Sequence, residues 1–262
     1  MACRQLQLRN KHEILSKVHQ AMRLLTSALE ALSFEPDEEE QHPRQMKITP
    51  SPAVPTADPA RYVVFDFETN GIGKTKNIRI CQIGAAALTE DFTVVDVFSH
   101  FCNPLALMDD GALAVHGLNE DFVEKFDTWS VVGGNFSKWL DLVRGADQEK
   151  PLTLMAHNGK RFDSRILVSE NARHGVDLPQ NLHHCDTIDV MKILFPSRNS
   201  YVLGRVYNDV IGFTMPDAHD AMADVNGVIE ILKRGHPRAL VNAISAHTES
   251  FNHVIKRVAK SK

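Results

Sequence analysis

The chain has 262 residues, 43% of them hydrophobic and 24% charged, with a formal net charge of −4. That is enough for one sizeable α/β domain with extensions, and no run approaches the roughly 18 consecutive apolar residues a membrane span needs. The mild acidity excludes a protein that holds nucleic acid by overall charge, so a nucleic-acid enzyme of this composition must use local basic patches and metal ions. The four cysteines, Cys3, Cys81, Cys102 and Cys185, form no C-x-x-C pair and suggest no disulfide framework. An intracellular setting follows, cytoplasmic or nuclear. The basic residues Arg4, Arg9, Lys11, Lys17 and Arg23 leave a mitochondrial leader open, with Glu13 and Glu30 counting against it.

Residues 1–34 read as an amphipathic helix, because Leu15, Val18, Met22, Leu25, Leu29 and Leu32 lie on one helical seam. Docking on the parent domain and pairing with a partner chain, including a second copy, are equally served by that seam. Residues 35–60 read as a linker, with an acidic run from Glu35 to Glu40 followed by prolines at 43, 50, 52, 55 and 59.

The main domain is expected over 61–235. Tyr62 to Phe67 reads as a buried central strand, and Ile80–Leu88 and Thr93–Phe101 as two more, joined at Thr89-Glu90-Asp91. A helical pattern over Ser130–Arg144 precedes a fourth strand, Leu152–Ala156. Helices are then expected from Asp163 to a glycine stop at Gly175, over Tyr201–Ile211 and over Asp220–Lys233. The order predicts a mixed sheet flanked by helices. Residues 236–262 are expected to form a basic helix with Leu240, Ile244, Phe251, Val254 and Val258 on its apolar face.

Three places carry chemistry. Asp66 and Glu68, two residues apart on a strand, point to one face and repel each other unless a cation sits between them. Asp163 follows the His157-Asn158-Gly159 turn at a strand-to-helix junction, and His219 and Asp224 bracket the start of a later helix. Singly, each has a structural reading as a cap or a turn. Together they would bring four carboxylates into one cleft, which calls for two Mg²⁺ or Mn²⁺ ions about 3.5–4 Å apart, the arrangement that hydrolyses phosphodiesters. His219, with the pKa range of an imidazole, would take the proton from the attacking water.

The stretches Phe65-Asp66-Phe67-Glu68-Thr69-Asn70-Gly71, His157-Asn158 to Asp163, and His219-Asp220-Ala221 to Asp224 resemble the three motifs of the DEDDh exonucleases. That group includes the proofreading epsilon subunit of bacterial DNA polymerase, ribonuclease T, oligoribonuclease and the three-prime repair exonucleases. The likeness covers residues 61–235, and Ala114–Leu118 and Tyr201–Tyr207 also resemble family stretches. It implies a ribonuclease H-like fold with a central five-stranded mixed sheet, N- and C-terminal helical extensions, and 3′→5′ hydrolysis of single-stranded nucleic acid, DNA or RNA, to nucleoside 5′-monophosphates. Asp66, Glu68, Asp163 and Asp224 would be the metal ligands and His219 the base. Thr69 and Asn158 would hold the terminal nucleotide, with Phe67, Leu118 and Phe162 as apolar walls. Thr69-Asn70-Gly71 and the charged insert Ile72–Arg79 depart from the family pattern. A catalytically silent binding or scaffold protein organised by the N-terminal helix is the alternative, and the presence of all five positions argues against it.

Other features read as structure. Gly73-Lys74-Thr75 lacks the upstream glycine of a phosphate loop, since Glu68 stands there. His183, His184 and Cys185 have no second ligand pair nearby, and Asp186-Thr187 fits a helix cap. Lys74, Lys76, Arg79, Lys160, Arg161 and Arg165 flank the acids, as phosphate-steering groups or as solvated surface.

Overall fold

In a computed structural model the described residues are 59–73, 75–145 and 149–260. The expected N-terminal seam and almost all of the linker lie outside them. Six strands form one sheet in the order β3-β2-β1-β4-β5-β6. They are β1 (Tyr62–Thr69), β2 (Ile80–Leu88), β3 (Val94–Phe101), β4 (Leu152–Ala156), β5 (Leu182–Asp186) and β6 (Glu249–Ser250). β1 is antiparallel to β2 and parallel to β4, β4 is parallel to β5, and β6 closes the far edge antiparallel to β5. The expected five-stranded sheet is therefore extended by a two-residue sixth strand.

The helices among the described residues are α1 (Asp110–His116), α2 (Glu120–Val123), α3 (Trp129–Arg144), α4 (Asp163–His174), α5 (Thr187–Leu194), α6 (Leu203–Ile211), α7 (Ala221–Lys233), α8 (Pro237–His247) and α9 (Phe251–Ala259). None is long and apolar enough to cross a membrane.

Strand alternation divides the core. Val63, Phe65 and Phe67 of β1 pack with Trp129, Phe136 and Leu140 of α3, Ile166 and Leu167 of α4, and Phe251 and Val254 of α9. On the opposite face, Val64 and Ala86 pack with Val190 and Met191 of α5, Val206 of α6, Val225, Val228 and Leu232 of α7, and Leu240 and Ile244 of α8. Asp66 and Glu68 follow Val64 in the alternation, so they belong to the α7 face.

The C-terminal segment corrects the expectation of one basic helix. Its apolar residues serve two faces: Leu240 and Ile244 pack on one, Phe251, Val254 and Val258 on the other. The chain crosses between them at β6, where Thr248 ends α8 by donating its hydroxyl to the Ile244 carbonyl at 2.8 Å. A single straight helix could not bury both sets.

Candidate active site

The end of β1 supplies Asp66 and Glu68. Glu68 is 8% exposed and Asp66 partly buried. Asp163 begins α4 just beyond the end of β4 and is 2% exposed, with its Oδ1 buried and lacking any hydrogen-bond partner. Asp224 lies in the first turn of α7, and exposed His219 stands just before that helix.

Ligand atoms of Glu68, His219 and Asp224 lie within 4.8 Å of one another. Electrostatics join the remaining acids to them. Burial first, then the charges of Asp163, Asp224, Glu68 and Asp220, hold the Asp66 carboxyl well above the usual carboxylate range. Burial followed by Asp224, Asp163 and Asp220 pushes Glu68 up to about 8. Asp163 is raised to about 7, mainly by burial, against hydrogen bonds from its own and the Phe67 backbone N–H. Asp224 is raised by burial, opposed by the His219 backbone N–H, which donates to its Oδ1 at 3.4 Å. The four carboxylates thus converge from three elements, and each is costlier to ionise than a solvated acid. The donor set is all oxygen, and one buried oxygen has no partner, which is what hard divalent cations require.

Two residues that the motifs do not contain place α7 against β1. Gln82 of β2 pairs with Glu68 in the ladder. Its Nε2 donates to Asp220 Oδ2 at 2.8 Å, and its Oε1 accepts from the Ala221 N–H at 3.3 Å. Asp220 in turn caps α7 by accepting from the N–H groups of Met222 and Ala223. Gly84 pairs with Asp66 and leaves room for the backbone of Ala221 and Met222. The available signal was a glutamine and a glycine inside the otherwise apolar run Ile80–Leu88, since a strand glycine marks a close approach. His219 itself adopts φ 73, a left-handed conformation that histidine, asparagine and aspartate enter more readily than most residues.

The loops around the acids are tied down by side chains. Asn70, where the family pattern differs, accepts from the Arg79 N–H at 2.7 Å and donates to the Leu107 carbonyl at 3.1 Å. Its own carbonyl accepts from the Asp109 N–H at 2.8 Å. His116 bridges α1 to β1: its Nδ1 accepts from the Leu118 N–H, which leaves Nε2–H to donate to the Thr69 carbonyl at 3.0 Å. Burial, and less strongly the nearby His219, keep the His116 pKa below the usual histidine value. Asp186 caps α5 and accepts from the N–H groups of Asn158 and Lys160, fixing the turn before Asp163. Gly159 is required there because a Cβ would meet that of Ala156 at 2.8 Å.

Of the residues expected around a terminal nucleotide, Asn158 is exposed, Leu118 and Phe162 are half-buried, and Thr69 is buried. Phe67 departs from the expected wall. Its ring is buried at 4% exposure against Phe65 and Trp129, on the strand face opposite Asp66 and Glu68, and its backbone N–H donates to Asp163. His184 is a buried strand residue, bonded through Nδ1 to Ser164 Oγ at 3.0 Å. A cleft of about 730 Å³ at the β5–β6 edge is lined by residues including Asn171, Leu182 and Phe251, and carries none of the four acids.

Comparison with known proteins locates this arrangement. The RNase T family, described as exonuclease, matches residues 63–232. Three-prime repair exonuclease 1 of Bos taurus is 35% identical over 116 residues, 41% of this chain and 36% of that protein. The Homo sapiens protein is 34% identical over the same share of the chain and 37% of its own length. The chain thus spans about a third of the length of these relatives. DNA polymerase III subunit epsilon of Escherichia coli is 25% identical over 65% of this chain and 69% of its own. Among solved structures, E. coli exonuclease I in complex with a dA16 oligonucleotide has a TM-score of 0.56 at 21% identity, covering 68% of this chain and 42% of its own. That likeness is one of fold, a ribonuclease H-like mixed sheet flanked by helices.

Proposed function

The chain belongs to the RNase T exonuclease family, and from that premise we propose that it is a 3′→5′ exonuclease acting on single-stranded 3′ ends and releasing nucleoside 5′-monophosphates. The observation that carries the reading is the convergence of Asp66, Glu68, Asp163 and Asp224, each with a raised pKa and one with an unpartnered buried oxygen. Repelling carboxylates of this kind are stabilised by cations, and these four residues would hold two Mg²⁺ or Mn²⁺ ions. Bound there, the ions supply Lewis-acid stabilisation of the phosphodiester undergoing displacement.

The chain's own residues do the rest. His219, exposed and within reach of Glu68 and Asp224, accepts the proton of the attacking water through a ring nitrogen. Leu118 and Phe162 flank the terminal nucleotide, with Thr69 and Asn158 as its polar neighbours. A site that seats one terminal nucleotide beside the acids favours unpaired, stackable bases, and E. coli exonuclease I, of similar fold, has been solved with a dA16 oligonucleotide. An intracellular setting fits the free, buried Cys81, Cys102 and Cys185.

The test is digestion of 5′-labelled single-stranded DNA, single-stranded RNA and duplexes side by side, with Mg²⁺, Mn²⁺ or a chelator. The expected result is a ladder shortening one nucleotide at a time from the 3′ end of the single strands, absent with chelator. Internal fragments, or shortening indifferent to the metal, would overturn the reading.

A further inference from the structure

Two oxygens and a nitrogen meet at the mouth of the acid cluster. One carboxylate oxygen of Glu68, one of Asp224 and a ring nitrogen of His219 all lie within 4.8 Å of one another. A metal bonded to nitrogen and oxygen at about 2.1 Å holds tetrahedral ligands about 3.4 Å apart. Closing the group therefore takes a shift of no more than about 1.4 Å between any pair. Glu68 is buried on β1, and Asp224 is held in the first turn of α7 by the His219 N–H. His219 is exposed, so its ring can turn towards the two acids without disturbing the core.

The mixture of donors decides which ion fits. Carboxylate oxygens suit Mg²⁺ and Mn²⁺, whereas imidazole suits Zn²⁺ and its neighbours among the transition metals. Three protein ligands with one open position is a common arrangement for a tetrahedral zinc ion. Two other imidazoles around the site are already engaged at both nitrogens. His116 bonds to the Thr69 carbonyl and the Leu118 N–H, and His157 to Thr187 Oγ1 and the Tyr201 carbonyl. His219 is the nitrogen donor that the acids can reach.

The neutral His219 ring has one basic nitrogen, because the other carries the proton. That nitrogen can take a proton from water or bind a metal, and it cannot do both. We propose that Glu68, His219 and Asp224 form a site for Zn²⁺ and similar transition ions, and that filling it silences hydrolysis by withdrawing the proton acceptor. The site shares Glu68 and Asp224 with the four-carboxylate arrangement, so the two are alternatives. Only the silencing rests on the exonuclease reading above; the three-donor site does not.

Binding is measured by calorimetry on the untagged, metal-free full chain, with no nucleic acid present. Zn²⁺ is expected to bind wild type more tightly than Mg²⁺. His219→Asn, which keeps an oxygen donor and suits the local backbone, should weaken Zn²⁺ by about 10-fold or more, at least the loss that removing a mere ligand-orienting partner causes. The same variant should leave Mg²⁺ affinity within about twofold, since Mg²⁺ is held by oxygens. His219→Gln should behave likewise. Co²⁺ as a second probe reports the nitrogen directly, through a visible absorption that differs between wild type and the variants. In the digestion assay, Zn²⁺ added to Mg²⁺-activated wild type should stop shortening at the concentration that fills the site, and a Zn²⁺-selective chelator should restore it. Zn²⁺ affinity and Co²⁺ absorption indifferent to both variants would overturn the site. Turnover that continues with the site filled would overturn the silencing. A chain that binds Zn²⁺ through His219 yet digests nothing with Mg²⁺ would instead count against the exonuclease reading.

Discussion

Gly84 lies against Ala221: a Cβ built on the glycine would sit 2.6 Å from the Ala221 carbonyl carbon and 2.7 Å from its oxygen. The missing side chain opposite Asp66 is what lets the start of α7 approach the strand that carries two of the four acids.

Gly84→Ala should therefore push the start of α7 outward, and His219 and Asp224 with it. Overpacking of this kind costs about 1–3 kcal/mol, and a displacement near 1 Å at the reacting groups costs roughly 10- to 100-fold in rate. Chemical denaturation beside single-turnover kinetics checks both. A variant as active as wild type would mean that this contact does not position the helix.

Gln82→Leu removes the donor to Asp220 and the acceptor for the Ala221 N–H while keeping the strand apolar. Stranding either group costs about 1–3 kcal/mol. We expect a lower denaturation midpoint with an unchanged denaturant slope, and a reduced kcat. Retention of both midpoint and kcat would show that the Asp220 cap holds α7 unaided.

His219→Asn tests the proton acceptor with little backbone disturbance, because asparagine tolerates the φ of 73 found there. Loss of a general base lowers turnover by about 100-fold or more. Single-turnover kinetics at neutral pH read that loss directly. A rate within a few fold of wild type would assign the proton transfer elsewhere.

Stability should depend on pH in a direction set by the raised pKa values. Glu68 shifts from 4.5 to about 8 and Asp163 from 3.8 to about 7 on folding, so the folded chain binds these protons more tightly than the unfolded one. Their contribution is complete below about pH 4 and fades as the pH rises towards 8. The metal-free protein should melt on the order of 5–10 °C lower at pH 8 than at pH 5, at about 2–4 °C for each kcal/mol. Saturating Mg²⁺ or Mn²⁺ should reduce or reverse that trend by binding only the folded chain. A metal-free melting temperature that rises over this range would contradict the charge cluster.

Asp66→Asn should abolish turnover and at the same time raise the metal-free melting temperature at pH 8, because it removes one charge from that cluster. A fall in both would assign Asp66 a packing role instead.

Much of this architecture was legible because its signals are local. The apolar run Tyr62–Phe67, the Gly175 stop of α4 and the spacing of His219 and Asp224 each announce themselves within a few residues. What escaped depends on contacts distant in sequence. Gln82 reaches Asp220 across 138 positions, and β6 is too short to show any periodicity. The burial of Phe67 is hidden from the sequence for a related reason. Alternation fixes its side of the strand, but only the packing of Trp129 shows that this side is closed core.

Asn70 joins three stretches of backbone, through Arg79, Leu107 and Asp109, at the lip where a strand end would arrive. The conformational freedom of that lip is given up during folding, before any ligand is present. On the proposed reading, recognition there would start from a preorganised surface, and a strand end would lose mainly its own freedom on docking.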